Sequence, residues 1–206
     1  MLRKSLIALS VLFNLVGLYL ILYKPDIYIL QYSSLAICLV SVLVFTFERD
    51  FNFKLLQTFM IISIAGFFIE VLGVNSGFPF GEYFYGDSLG LKLFSVPIIL
   101  SLNWLLLIYL SLNLASIFDI SRIKKALLAS LLMLFIDFTI EPIAAQLDFW
   151  YWLNQKAGLL NYFSWFLMSL LLSLFFLYRH EQRTNYVAVF QYFIYISFFI
   201  ILNLSL

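Results

Sequence analysis

The sequence predicts an all-α membrane protein, a polytopic helix bundle of about seven transmembrane helices that occupies residues 1–206 as a single integral membrane domain. Three observations predict this class. Hydrophobic residues make up 64% of the 206 residues and charged residues only 11%, whereas soluble domains average about 45–50% and about 25%. The apolar residues are gathered into long runs, and short charged segments separate these runs. Such a composition excludes both a soluble domain and a disordered chain.

The predicted helices are the seven apolar runs, because about 20 apolar residues are needed to cross about 30 Å of hydrocarbon. Backbone groups in lipid must be hydrogen-bonded within their own segment, which favours helices. The runs also lack the alternation that is typical of outer-membrane strands. They cover residues 6–23, 27–47, 55–73, 93–117, 126–146, 159–178 and 186–206.

The basic residues predict the orientation of the bundle, because cytoplasmic loops carry an excess of lysine and arginine. A cytoplasmic N-terminus puts nine basic residues inside and three outside, so we predict an N-in, C-out topology. The two longest connecting segments, 74–92 and 147–158, then share the non-cytoplasmic side. The inside residues are Arg3, Lys4, Arg49, Lys54, Arg122, Lys124, Lys125, Arg179 and Arg183, and the outside residues are Lys24, Lys92 and Lys156.

Several function classes are excluded by what the sequence lacks. A net charge of +1 provides no field that would attract nucleic acid. The single cysteine, Cys38, excludes an intrachain disulfide and a cysteine zinc site, and the single histidine, His180, excludes bis-histidine haem and histidine metal clusters. Residues 186–206 contain no lysine that would bind retinal as a Schiff base. We therefore expect no metal and no cofactor.

Three acidic residues lie inside the predicted spans rather than at their ends: Glu70, Asp137 and Glu141. An intramembrane acid costs about 2.5–3.5 kcal/mol on insertion scales, which makes each a candidate for function. Asp137 and Glu141 are four residues apart and share one helix face, while Glu70 lies at a depth similar to that of Glu141 and could instead snorkel or cap a loop. Two close carboxyls do not both ionise cheaply. Such a pair can donate a proton and activate water, or it can relay protons.

Other features cluster around these acids. Pro142 directly follows Glu141 and frees a backbone carbonyl near residue 138. Six of the eight glycines lie between residues 66 and 90, which predicts a tight loop that lets the backbone approach a ligand closely. Asn103 and Trp104 lie in the middle of a predicted span, where a polar asparagine needs a partner. Aromatic residues make up 20% of the chain, and their faces stabilise cations.

Three stretches of sequence together resemble a known family. Residues 70–85 fit the pattern E-x2-G-V-x2-G-x-P-F-G-x-Y-x-Y, and Val96-Pro97 with Asn103-Trp104 is similar to its next helix. Residues 137–152 resemble its D…DP…W-x-W segment, with glutamate at 141 where the pattern has aspartate. These are marks of the CruF-type carotenoid biosynthesis proteins, which are carotenoid 1,2-hydratases or bisanhydrobacterioruberin hydratases. The resemblance covers about residues 55–165.

The resemblance implies cofactor-free addition of water to the terminal C1=C2 bond of an acyclic ψ-end group. The expected substrate is a lycopene- or γ-carotene-like carotenoid in a bacterial or archaeal cell membrane, with other enzymes of the pathway as further candidate partners. Asp137 and Glu141 are expected to be the proton-donor and water-orienting pair, without a decision as to which is which. Glu70 would polarise water or hold the loop, and Asn103 would position a water or a carboxyl. The expected pocket-lining residues are Phe80, Tyr83, Tyr85, Trp104, Trp150 and Trp152.

Two alternatives stay open from the sequence. A cofactor-free carotenoid cyclase or isomerase would use the same proton-initiated alkene chemistry and would differ only in the access of water. A proton-coupled carrier or a carotenoid-binding scaffold would leave the mass of the pigment unchanged. A carrier usually has two pseudo-symmetric halves with paired broken helices, and no such halves are evident in this sequence.

Overall fold

The computed structural model describes residues 2–23, 27–154, 156–181 and 184–206. These residues form a bundle of seven long helices and one short helix, so the predicted all-α class is confirmed. A single 3₁₀ turn, Glu141–Ile143, continues the sixth helix. The helices are α1 Leu2–Tyr23, α2 Ile27–Leu30, α3 Ser33–Thr46, α4 Phe53–Ser76, α5 Ile99–Ala115, α6 Arg122–Ile140, α7 Leu159–Arg179 and α8 Tyr186–Ser205.

Four segments of the described chain are long and apolar enough to cross a membrane: α4, α6 with its 3₁₀ turn, α7 and α8. The apolar part of α1 (Ser10–Tyr23), α3 and α5 are shorter apolar helices. The structure therefore supports a helical membrane protein, with four candidate spans where the sequence predicts about seven. The N-in, C-out orientation stays a prediction, and two residues that contribute to it, Lys24 and Arg183, lie outside the described residues.

Three predicted spans have different bounds in the structure. The run 27–47 is broken, because α2 ends at Leu30 and a turn precedes α3, where the polar residues 31–34 interrupt the apolar run. The run 93–117 becomes helical only at Ile99, since residues 92–97 form a hairpin. The run 126–146 leaves the α-helix at Ile140, because Pro142 has no N–H to continue the ladder.

Helix α5 lies at the centre of the bundle, where it packs against α3, α4, α6, α7 and α8. Twelve of its residues are buried, on every side of the helix. An α-helix that is apolar all round is expected to be enclosed by neighbours, which explains why 17 residues without an amphipathic pattern form the core element. The other long helices surround it, and α1 packs chiefly against α8.

The connecting segments contain four short strands that the predicted all-α class does not include. They are β1 Tyr83–Tyr85, β2 Lys92–Leu93, β3 Val96–Pro97 and β4 Trp150–Trp152. Strand β1 pairs antiparallel with β4, and β2 pairs antiparallel with β3. The β1–β4 pair joins the two longest connecting segments, so these segments lie at the same end of the bundle, as the topology predicts.

Asn185 ties three helices together at the other end of the bundle. Its side-chain amide donates to the Val44 carbonyl at 3.0 Å and to the Tyr109 hydroxyl at 3.2 Å. Its side-chain oxygen accepts from the Val187 N–H at 3.0 Å and thereby caps α8, while its own N–H donates to the Asn113 side chain at 2.7 Å. Asn185 is buried, so its side chain makes these bonds away from solvent.

We predict that Asn185→Ala destabilises the protein by about 2–4 kcal/mol, through loss of the α8 cap and of the two buried hydrogen bonds to Val44 and Tyr109. The unfolding temperature of the purified protein in detergent should fall by several degrees. Asn154→Ala is the matched control, because Asn154 is exposed in a turn and its loss should cost less than about 0.5 kcal/mol. Equal unfolding temperatures for the two variants would contradict the role of Asn185.

Candidate active site

A cavity of about 290 Å³ lies between the helices beneath the β1–β4 pair. The three acids predicted from the sequence, Glu70 of α4, Asp137 of α6 and Glu141 of the 3₁₀ turn, all line this cavity. Glu70 and Asp137 are each only 2% exposed. Within residues 2–23, 27–154, 156–181 and 184–206, none of the three forms an ion pair. The structure thus gathers three carboxyl groups in one largely apolar chamber without a cation.

Glu70 is held by three hydrogen-bond donors. Its Oε2 accepts from the hydroxyls of Tyr83 and Tyr85, both at 2.6 Å, and its Oε1 accepts from the indole N–H of Trp104 at 2.9 Å. An ionised carboxyl is acceptor-only, and hydrogen bonds to a charged acceptor are about twice as strong as neutral ones. Three convergent donors therefore suit a carboxylate at this position and offset part of the free energy of burying its charge.

The two tyrosines remain proton donors over the whole physiological range. Burial raises the pKa of Tyr83 and of Tyr85 well above the usual value, and the neighbouring Glu70 charge raises both further. Asp137, which lines the same cavity, adds a smaller contribution that raises the pKa of Tyr83. Both hydroxyls therefore keep their protons and continue to bind Glu70.

The other two acids have fewer partners. Within the described part of the chain, Asp137 accepts one hydrogen bond, a long one of 3.4 Å from the side-chain amide of Asn161 on α7. Glu141 accepts from the indole N–H of Trp152 at 2.9 Å, and it is less deeply buried than Asp137. The two carboxyls of α6 and its turn therefore differ in environment, with Asp137 enclosed and Glu141 closer to the lid.

The register of β1 and β4 places four aromatic rings over the cavity. Tyr83 pairs with Trp152, and Tyr85 with Trp150. Because alternate residues of a strand share a face, and directly paired residues lie on the same face, these four side chains point together into the chamber, whose lining includes all of them. The intervening pair, Phe84 and Tyr151, stacks on the other face with ring centroids 5.2 Å apart. We call this two-stranded cover, residues 83–85 and 150–152, the aromatic lid.

Asp148 fastens the aromatic lid from its edge. One carboxylate oxygen accepts from the backbone N–H groups of Asp87 and Ser88 at 2.8 and 2.9 Å, and the other accepts from the Tyr151 hydroxyl at 2.8 Å. The Gly86 N–H donates to the Phe149 carbonyl at 3.0 Å. These bonds hold the two connecting segments together beyond the strands themselves, so Asp148 has a structural role outside the chamber.

Two glycines of α4 make room for the partners of Glu70. Gly66, Glu70 and Gly73 recur at intervals of four and three, so they share one helix face. A Cβ at Gly66 would lie 2.5 Å from the Trp104 Cβ, and a Cβ at Gly73 would lie 2.6 Å from Phe80 and 2.9 Å from the Tyr83 hydroxyl. The absence of side chains at residues 66 and 73 therefore allows Trp104 and the lid to reach Glu70.

The remaining predicted residues occupy two different positions. Asn103 lines the cavity, and its side-chain oxygen is buried without a partner in the described part of the chain. Trp104 and Phe80 are not part of the lining; they are fully buried behind it, where Trp104 binds Glu70 and Phe80 packs on Tyr83.

Sequence reasoning missed most of the lining, and two of the missed residues, Asn161 and Trp165 of α7, contact the predicted site residues. Trp165 stacks on Trp104 with ring centroids 4.5 Å apart and an interplanar angle of 16°, and Asn161 binds Asp137. A polar residue in the first turn of an otherwise apolar span was a signal for Asn161. A single tryptophan in a span rich in aromatic residues gave no comparable signal for Trp165.

Together, the fold and the chamber define a class: a helical membrane protein with a carboxyl-lined chamber under an aromatic cover. A family model described as carotenoid biosynthesis protein matches residues 28–205, so the chain belongs to the carotenoid biosynthesis protein family. This confirms the resemblance to the CruF-type proteins and indicates a role in carotenoid metabolism. Comparison with curated proteins found no match, and comparison with solved structures found none either.

We predict that Gly66→Ala displaces Trp104 from Glu70 and destabilises the protein by about 1–3 kcal/mol, because the added methyl group overpacks the helix contact. The unfolding temperature and the near-ultraviolet circular dichroism of the tryptophans should both change. Gly158→Ala is the matched control, since nothing lies within 4 Å of a Cβ at that position. If the two variants have the same unfolding temperature and the same near-ultraviolet circular dichroism, the close approach at Gly66 does not hold Trp104 in place.

Proposed function

We propose that the protein is a carotenoid 1,2-hydratase that adds water to the terminal C1=C2 bond of an acyclic ψ-end group and gives a tertiary 1-hydroxy carotenoid. The observation that carries the proposal is the single apolar chamber into which Glu70, Asp137 and Glu141 all open. An apolar chamber suits a hydrocarbon end group, and buried carboxyls supply proton transfer without a cofactor. Membership of the carotenoid biosynthesis family supports the choice of substrate class.

Asp137 is the proposed proton donor. It is almost fully buried, its described hydrogen bond is a long one from Asn161, and no ion pair compensates it among the described residues. A buried carboxyl with so little compensation is cheaper to hold in its neutral, protonated form. In the proposed first step, the Asp137 O–H bond breaks as its proton forms a bond to C2, and the alkene electrons leave a tertiary cation at C1.

Glu141 is the proposed base that completes the addition. A water molecule bonds to C1 through its oxygen, and the proton that it loses passes to the Glu141 carboxylate. Asn103 lines the same chamber, and its side-chain amide suits it to hold that water by a hydrogen bond. Proton transfer from Glu141 back to Asp137, which lines the same chamber four residues earlier in the chain, restores the starting state, so the net reaction is alkene plus water to alcohol.

Glu70 is proposed to stabilise the cation by electrostatics. Its three donors fix a carboxylate that stays in place while charge develops at C1, and preorganised groups of this kind contribute most in a dry site. The lid and Trp165 add aromatic faces, and each such face stabilises a desolvated cation by about 0.5–2 kcal/mol. The negative group and the aromatic faces therefore act on the same transient charge.

We predict that expression in a lycopene-making host increases the mass of the pigment by one water. Asp137→Asn should reduce the conversion about 100-fold or more, because it removes general acid catalysis, and Glu141→Gln should have a comparable effect. Glu70→Gln should reduce conversion about tenfold to 100-fold, since it removes charge but not acid–base chemistry. Pigment is extracted and analysed by liquid chromatography with mass detection.

Asp119→Asn is the control, because Asp119 is exposed in a connecting segment, and its product yield should match the parent protein at equal membrane expression. Full hydration by Glu141→Gln would remove Glu141 from catalysis. A product with a changed absorption spectrum or retention but unchanged mass would favour a cyclase or isomerase, and bound but unaltered pigment would favour a scaffold or carrier.

A further inference from the structure

The cavity extends from the carboxyls toward the side of the bundle where α1 and α3 lie. This arm is lined mainly by apolar residues of the two helices, including Gly17, Leu20, Ala36 and Val40. Helix α1 packs chiefly against α8, whereas α3 packs chiefly against α5. The two helices are therefore held by different neighbours, and the arm runs along the seam between them.

The arm is open at its outer end. Phe13 and Val16 of α1, Tyr32 before α3 and Leu35 of α3 all line the cavity, and they are 38%, 48%, 64% and 49% exposed. We call these four residues the portal. In a helix bundle of this composition the outer surface of apolar residues faces lipid, so the portal connects the carboxyl chamber with the hydrocarbon of the bilayer.

The dimensions of the cavity limit how much substrate it holds. The cavity is lined from Phe13 to Ile21 on α1 and from Leu100 to Leu107 on α5, which at 1.5 Å per residue corresponds to about 12 Å and about 10 Å. An extended carotenoid is about as long as the hydrocarbon core is thick, about 30 Å. A volume of about 290 Å³ is also at the lower end for pockets that enclose drug-sized ligands, about 300–1,000 Å³.

We propose that a long acyclic isoprenoid enters end-first from the bilayer through the portal, and that its polyene stays threaded between α1 and α3, with the far end in lipid, during the reaction. This inference rests on the proposed function, because it takes the carboxyl chamber as the place where the end group reacts. Under this proposal the seam is a subsite for the polyene. Each binding event then leads to reaction at one end of the substrate only. A symmetric substrate must leave and return by its other end to react twice.

Gly17→Phe and Ala36→Phe test the portal. Both residues line the arm, and a Cβ at Gly17 would meet only Phe198, at 3.8 Å, so the backbone tolerates a side chain whose ring then fills the seam. The matched controls are Leu12→Phe on α1 and Leu39→Phe on α3, which are exposed but do not line the cavity. All four variants add aromatic bulk to the same two helices.

Each variant is assayed with lycopene and with a short acyclic isoprenoid of two isoprene units that carries the same end group. The Gly17 and Ala36 variants should convert about tenfold less lycopene than the parent protein, or less still. They should convert the short analogue to within about twofold of the parent, because it has no polyene to thread. The control variants should keep both activities. Undiminished lycopene conversion by Gly17→Phe and Ala36→Phe, or equal losses on both substrates, would overturn the portal.

A binding measurement separates this inference from the proposed function. Lycopene that threads the portal should quench the fluorescence of the cavity tryptophans, and quenching should be weaker for Gly17→Phe than for Leu12→Phe. If the parent protein converts neither substrate, the proposed hydration fails, yet the quenching comparison still supports or overturns the portal. With active protein and lycopene, the singly hydrated product should accumulate in free form before the doubly hydrated one, and its absence would contradict one-end reaction.

Discussion

The structure depends on burying the Glu70 carboxyl group with hydrogen bonds and without an ion pair among the described residues. No cation approaches Glu70 among the described residues as an ion-pair partner, and a carboxylate without partners in an apolar interior is prohibitively unfavourable. Its donors come from two distant parts of the chain, the aromatic lid and α5. Glu70 therefore has all three donors only when the lid is closed over α4 and Trp104 has docked. The contacts that satisfy the buried carboxyl also form one end of the chamber.

The same constraint explains the glycines around Glu70. A helix face that carries a buried charge must also bring its donors within about 3 Å, and side chains one turn above and below would keep them away. Gly66 and Gly73 remove these obstacles, one for Trp104 and one for Tyr83. Glycine usually lowers helix stability, yet here the hydrogen bonds that it permits outweigh this loss. The glycine spacing in this helix thus follows from the position of the acid.

Much of the fold could be predicted from the sequence, because the patterns that indicate it lie along the chain and do not depend on tertiary contacts. Apolar runs predict helices whatever their neighbours, and in-span acids such as Asp137 mark an interior face because lipid exposure would cost too much. The pairing of Tyr83 with Trp152 could not be predicted, since strands of three residues carry too little alternation to set a register. Trp165 was missed for a related reason: on a membrane helix, lipid contact and cavity contact favour the same aromatic side chain. Helix α5 begins at Ile99 rather than at residue 93 because the β2–β3 hairpin, which ends at Pro97, precedes it. The pairing of these two strands could not be predicted from the apolar run alone.

In the proposed reaction, the product is determined by the location of the polar atoms rather than by acid strength alone. A tertiary cation loses a proton, closes a ring or takes up water, according to which partner lies nearest. The lid covers the carboxyl end of the chamber, while Glu141 and Asn103 provide polar groups in its largely apolar wall. One held water therefore competes with few other nucleophiles. Glu141, longer by one methylene than the aspartate of the family pattern, carries that base further from the helix axis, toward Trp152 and the lid, so in this chain the lid helps to aim the water.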